Sequence, residues 1–567
     1  MKTLTRLAAL TLGAPTLATA APAPLPAQDS QVTDLVARGR ELIAEGKGRE
    51  ARELLQQADE LDEGDPRTRV WLVRALIEMN HLNDALDMTD VMTEAGHSGA
   101  DFDYLYGMAF VYKSRKYISQ GVNLGMVRMH YTDSVDLLLK ATATDAERYS
   151  DAFLPLAEAA WNSQRLEEAR TAAETALKLS GGGAAESFIL GEVAFSQFIA
   201  ANGDEARKEE ADAHWQAAFD AFQAAAKRDA GPKGDVLRRA NAHKKSGDAL
   251  VWRERREDAA AEYAQAMGAN PGGMPYDQIM NSLGQESFLA ALERGAELSG
   301  KTVQANDPSD ATLLWWLGWA RFANKDYDTS REAFEKSYAK WPSYTNCLWY
   351  IALCRFHKQD TEGAIESVLE FQRTDATGLV SSINGNAAYN LSILDSFVGH
   401  CFNQGRLVDA GRLSAAQANA SPQTTRYWNN VGLFYRDAGD AMPRDKEGEV
   451  ADPVLQQKYY EKALEGYERA LGVEPENPAL LNDAAVVLHY CLDRELHRAV
   501  EMYKRSTERA RAELERTDLT KDTRDLYEIA LRDSQNNLRR LEAVLERRAK
   551  AGEEPESPEG EGSGGAQ

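Results

Sequence analysis

Small and aromatic residues recur along this chain at one fixed interval, the step from Gly318 to Ala352, and few architectures permit that. Leu314, Leu317 and Gly318, followed by Ser330 and Phe334, return one period later as Leu348, Ile351 and Ala352, followed by Ala364 and Val368. An earlier copy opens at Ala51, with Leu55 and Ala58 on the same helical face, and returns after the same step at Ala85. Apolar spacings of three and four place these residues on one side of a helix. A period of this length, sustained, is the signature of a solenoid, because one unit cannot bury its apolar face without stacking on the next.

The most complete copy is Trp428, Val431, Gly432 and Tyr435, followed by Ala463, Tyr467, Ala470, Leu471, Pro475 and Asn477. In these residues the chain resembles the tetratricopeptide repeat family, whose unit is an antiparallel helix pair. The resemblance implies an all-α fold, an α-solenoid in which about twelve such pairs wind into a right-handed superhelix with a concave groove. Within the copy at Trp428, an insertion around Asp437 to Gln457 is expected as a surface excursion. Gly107 with Leu138, and Gly191 with Phe222, form further units split by insertions around Lys113 to His130 and Asn202 to Asp212. Gly247 precedes Ala259, Tyr263 and Ala266, and the last unit runs from Leu481 through Ala499 and Tyr503. Tyr527, Leu531, Leu538, Leu541 and Leu545 then form one apolar stripe opposite Arg539, Arg540, Arg547 and Arg548, as a C-terminal capping helix requires.

The ends read differently. Met1 to Arg6 is basic, Leu7 to Leu17 is mostly apolar, and Ala18-Thr19-Ala20 offers small residues at a signal-peptidase spacing. An exported bacterial protein, periplasmic or extracellular, is therefore expected. The expected organisation is a signal peptide at 1–20, a Pro-rich extended leader at 21–31 and a degenerate array at 32–310. A clearer array at 311–516, a cap at 517–550 and a disordered acidic tail at 551–567 complete it. No stretch after the leader is expected to span a bilayer. The formal charge of −24 repels phosphate backbones, so nucleic acid is not an expected partner. Cys347, Cys354, Cys401 and Cys491 are too few for a disulfide scaffold and are expected as buried small hydrophobes.

Chemistry-bearing patterns are sparse. Gly295 to Thr302 satisfies the phosphate-loop expression G-x-x-x-x-G-K-[ST], which needs a buried strand before it. The preceding Glu286 to Arg294 reads as helix, and the step from Gly284 to Pro308 equals that from Gly318 to Pro342, which aligns Gly284 with the first-helix Gly318 and places the match inside a second helix. His489, Cys491, Asp493, Glu495 and His497 alternate along one helix and so face different ways, which suits core or solvated groups rather than a metal site. No catalytic residue, cofactor or metal ligand is expected, and the chain is not expected to be an enzyme.

The resemblance implies a non-catalytic scaffold that holds a protein or peptide partner. A glycan or small-molecule binder on the same scaffold is the alternative, and nucleotide binding through 295–302 the third reading. Trp315, Trp319 and Phe322 follow at spacings of four and three, and one period later stand Trp349 and Phe356, with His357 beside the latter. These six are expected to line the concave face, against the competing reading that the rings pack between repeats as core.

Overall fold

The computed structural model describes residues 26–121, 124–231, 233–304 and 306–551. Within them lie 26 α-helices and no strand beyond an isolated bridge between Arg444 and Val450. The chain is an all-α solenoid, and it divides into two units, Met1–Asn270 and Pro271–Gln567.

The N-terminal unit stacks six helix pairs. They are Pro26–Ala44 with Gly48–Leu61, Pro66–Glu78 with Leu82–Glu94, Ala100–Gln120 with Leu124–Thr144, Phe153–Asn162 with Leu166–Ser180, Ala184–Ala201 with Lys208–Arg228, and Val236–Val251 with Arg256–Ala269. The C-terminal unit also stacks six: Tyr276–Leu283 with Gln285–Ser299, Ala311–Ala323 with Tyr327–Lys340, Cys347–His357 with Thr361–Thr374, Ala387–Asn403 with Leu407–Ala420, Thr425–Asp440 with Pro453–Val473, and a helix from Pro478 with Leu496–Leu514. A short helix, Ala376–Asn384, is inserted after the third of these pairs, and Lys521–Ala551 closes the unit.

The period is written into the backbone. Lys325 and Gln359, one period apart, both take φ of +64° at the turn inside their pairs, and Gly46 and Asn80, separated by the same step, take +74° and +61°. Arg321 donates to the Thr329 carbonyl at 3.3 Å, and one period on Arg355 donates to the Gly363 carbonyl at 2.9 Å. Asp and Asn residues start many helices, aided by proline: Asn477 accepts from the Ala479 and Leu480 amides ahead of Pro478, and Asp65 from Arg67 ahead of Pro66.

The pairs inferred from sequence meet. A Cβ placed on Gly107 would lie 2.6 Å from Leu138, one on Gly191 2.6 Å from Phe222, one on Gly318 2.9 Å from Phe334, and one on Gly432 2.7 Å from Tyr467. Only a missing side chain lets these helices approach so closely.

Several expectations are corrected. Residues 26–31 are not an extended leader but begin the first helix, where the fixed φ of Pro26 suits the first position and its missing N–H is not needed. The insertions around Lys113 to His130 and Asn202 to Asp212 are largely helical and lengthen both members of their pairs. Of the excursion around Asp437 to Gln457, only 441–452 leaves the helices. Gly284 is not a packed first-helix glycine; with φ of +77° it is the turn itself. The helix Ala184–Ala201 reaches, against expectation, the length and apolar character of a membrane span. Half of it is buried, and its Glu192 pairs with Lys245 at 2.7 Å, as in a core helix. The cap is as expected: Leu541 is buried, Leu538 and Leu545 pack on the core, and Arg539, Arg540 and Arg547 face solvent. The signal peptide at 1–20 and the acidic tail from 552 onward lie outside the described residues.

Burial also sets a pH dependence. His130 stacks on Phe110 at 4.9 Å, and neither of its ring nitrogens has a hydrogen-bond partner. Burial, aided by Lys113 and opposed by Asp133, holds its pKa below the usual value. His357 and His489 are displaced the same way by burial. Above the unfolded histidine pKa of about 6.5 these rings are neutral in both states, so no proton uptake separates the two. Below it the unfolded chain takes up protons first, so stability is lost as the pH falls. Denaturant unfolding at pH 7.5 and pH 5.5 should therefore show a less stable protein at the lower pH, and His130→Phe should reduce that difference.

Candidate functional site

Within the C-terminal unit the first helices of two consecutive pairs, Ala311–Ala323 and Cys347–His357, bring aromatic rings into one connected set. Trp315 meets Tyr350 at 6.0 Å and nearly perpendicular, and its indole N–H donates to Asn346 at 3.2 Å. Trp319 meets Trp316 at 5.7 Å, and Trp316 meets Trp315 at 5.2 Å. Phe322 lies 5.6 Å from Tyr350 and 5.9 Å from His357. His357 stacks on Tyr327 at 4.4 Å, and the Tyr389 hydroxyl, from the next first helix, reaches its Nε2 at 3.0 Å. Phe356 packs edge-on against Phe397 at 5.6 Å.

Five of the six expected residues, Trp315, Trp319, Phe322, Phe356 and His357, are half-buried. The four carbocyclic and indole rings rest on the core with part of each side chain open to solvent, and His357 rests on Phe322, Tyr327 and Phe356. Trp349 is a correction: it is only 4% exposed and belongs to the core cluster with Ile351, Leu353, Val368 and Phe397. Its register matches that of Trp315, yet Trp349 lies inside the cluster on which Trp315 only rests. Trp315 is itself part packing residue, since it also touches Phe334 at 6.2 Å.

Sequence reasoning missed Trp316, Tyr350 and Tyr389. Trp316 and Tyr350 stand one period apart, so the repeat carried their signal. Tyr389, at 40% exposure the most open ring of the set, follows the inserted helix and is out of phase.

The remaining patterns resolve into structure. Gly295 to Ser299 is the last turn and more of the helix Gln285–Ser299, and Lys301 pairs with Glu297 at 2.8 Å. A helix C-terminus presents carbonyls and partial negative charge, the opposite of a phosphate cradle. His489 is buried beside Tyr503, Asp493 pairs with Arg548 at 2.8 Å, Glu495 pairs with Arg498 at 2.8 Å, and His497 is exposed, so the five do not converge. Cys347, Cys354 and Cys401 are buried and Cys491 half-buried, all unpaired. Burial pushes the Cys354 and Cys401 thiols up to about 11, and those of Cys347 and Cys491 up to about 12.

Two family models described as tetratricopeptide repeat match the chain, one at residues 42–108 and the other at 283–345. No curated protein matches it. Similar solved structures include the APC/C hetero-tetramer Cut9-Hcn1, at 14% identity over 90% of this chain and 98% of that one, with a TM-score of 0.26. The TPR domain of P58(IPK) is 13% identical over 76% and 98% respectively, with a TM-score of 0.18, and yeast Tom70 is 12% identical over 92% and 99%, with a TM-score of 0.20.

Proposed function

We propose that this tetratricopeptide-repeat chain is an exported, non-catalytic scaffold that holds a protein or peptide partner against the aromatic surface of its C-terminal unit. The observation that carries the reading is the set of half-exposed rings on successive first helices, Trp315, Trp319, Phe322, Phe356, His357 and Tyr389. Rings fixed by their neighbours offer apolar area at little entropic cost, which is what anchors of an interface do. The indoles of Trp315 and Trp319 are engaged edge-to-face with other rings, which favours a partner's apolar side chains over the flat face of a sugar. Export rests on the basic start, apolar run and small-residue site at residues 1–20.

The test combines Trp319→Ala with Tyr389→Ala, two rings that contribute their outer edges and leave Phe334 and Trp349 in place. Affinity capture from envelope extract, beside a glycan array, should retain a protein partner with the wild type and lose it with the variant, at about 10-fold weaker binding or more. Equal capture by both proteins, or binding confined to the glycan array, would sink the reading. Amino-terminal sequencing of the mature protein should begin near Ala21; a chain recovered from the cytosol beginning at Met1 would remove export.

A further inference from the structure

Between Asp103 and Asp133 the chain holds no acidic residue, a long gap for a composition in which 89 of 567 residues are Asp or Glu. The gap supplies the adjoining ends of the helices Ala100–Gln120 and Leu124–Thr144 in the N-terminal unit. In the standard-length pair the close-packed Gly318 stands little more than one turn from its helix end at Ala323, whereas Gly107 stands more than three turns from its own at Gln120. The hairpin therefore runs on by two further turns, about 11 Å at a pitch of roughly 5.4 Å.

That extension is both basic and apolar. Lys116 and Arg128 are exposed and Lys113 is half-buried, and none of the three has an ion-pair partner among the described residues, whereas Arg115 is neutralised by Glu158 at 2.6 Å. Ile118, Leu124 and Met129 are 49%, 70% and 52% exposed. All six lie within two helical turns of the hairpin's end.

We propose that this hairpin end docks the protein on an anionic lipid surface, with Ile118, Leu124 and Met129 entering the headgroup layer and Lys113, Lys116 and Arg128 meeting lipid phosphates. The aliphatic residues select lipid among polyanions, because a nucleic acid or an acidic peptide would satisfy the cations and leave three large side chains in water. Neither signal suffices alone; weak electrostatic attraction and shallow apolar insertion bind when combined. The chain's charge of −24 opposes approach to such a surface. At physiological ionic strength, however, that repulsion decays over about 8 Å, less than the reach of the extension. The surface belongs to the N-terminal unit and does not depend on the aromatic set.

Vesicle flotation with the full chain tests it, using phosphatidylcholine vesicles with and without about one-third phosphatidylglycerol. Binding is expected to the anionic vesicles alone, weakening with added salt. Lys116→Glu with Arg128→Glu should weaken it at least about 30-fold, from roughly one contribution lost per basic residue. Leu124→Ser, at a site too exposed to affect folding, should also weaken it. Lys140→Glu with Lys178→Glu, which changes net charge equally at exposed sites elsewhere in the unit, should leave it intact. The proposal is overturned by no binding, by equal binding to neutral vesicles, or by equal loss in both charge-reversed pairs. Capture by polyglutamate or duplex DNA in place of vesicles would overturn it as well.

Discussion

Replacing Phe334 by alanine should destabilise the C-terminal unit by about 3–5 kcal/mol. The ring is fully buried, stacks on Tyr350 at 4.8 Å and seats over Gly318. The cavity left behind would not collapse easily, because Gly318 has no side chain to move in and the two helices are tied by Ser330 to the Gly318 carbonyl and Ser337 to the Ala311 carbonyl, both at 2.8 Å. The full cavity penalty should therefore remain. In a solenoid each pair leans on its neighbours alone, so the loss should appear as an earlier transition and faster amide exchange around Tyr350 rather than a uniform shift. Tyr467 tests the same packing with the opposite sign for its hydroxyl. It is fully buried and its oxygen has no hydrogen-bond partner, so Tyr467→Ala should cost several kcal/mol while Tyr467→Phe should be neutral or stabilising by about 1 kcal/mol. Chemical denaturation of the three variants measures both effects; an unchanged curve for Phe334→Ala would show that the pairing of Gly318 with Phe334 is wrong.

The glycine-and-ring pairs were legible in sequence because close helix approach demands a missing side chain on one helix and a large one at a fixed distance along the next. That signal survives even in the pair of Gly107 and Leu138, whose insertion extends both helices from the same end and leaves the contact untouched. The short helix Ala376–Asn384 was not legible. It buries only Leu379 and Ile383 and fits no period, so nothing separates it from a loop until its neighbours are in place. Gly284 misled for a related reason: a glycine that lacks a side chain for packing and one that lacks it for a left-handed turn look the same in sequence.

The aromatic surface was half legible. Helical spacing placed Trp315, Trp319 and Phe322 near one another, but exposure depends on what stacks above them, and that is a property of the neighbouring pair. Trp349 therefore became core where Trp315 kept an open edge, although both occupy the same register.

One buried charge of the N-terminal unit, Arg74, left no pattern in the sequence, and it carries the second large prediction. Arg74 is buried on the helix Pro66–Glu78. Its guanidinium donates to Glu78 at 3.0 Å, to Asp151 at 3.2 Å and to the Tyr104 hydroxyl at 2.9 Å, and Tyr104 donates in turn to Asp151 at 2.7 Å. Burial, with the Asp151 carboxylate beside it, pushes the Tyr104 phenol well above its usual range, so it stays a donor. Two carboxylates, themselves partly open to solvent, thus hold one cation whose own side chain is only 5% exposed. Glu78→Ala with Asp151→Ala leaves that cation uncompensated and should destabilise the unit by about 3 kcal/mol, since removing one side of a buried pair costs more than removing both. Adding Arg74→Met to that double variant should recover most of the loss, because an apolar side chain of similar volume has no charge to desolvate. Denaturant unfolding of the three proteins decides it: if the triple variant proved no more stable than the double, the cost would lie in lost packing rather than in the stranded charge.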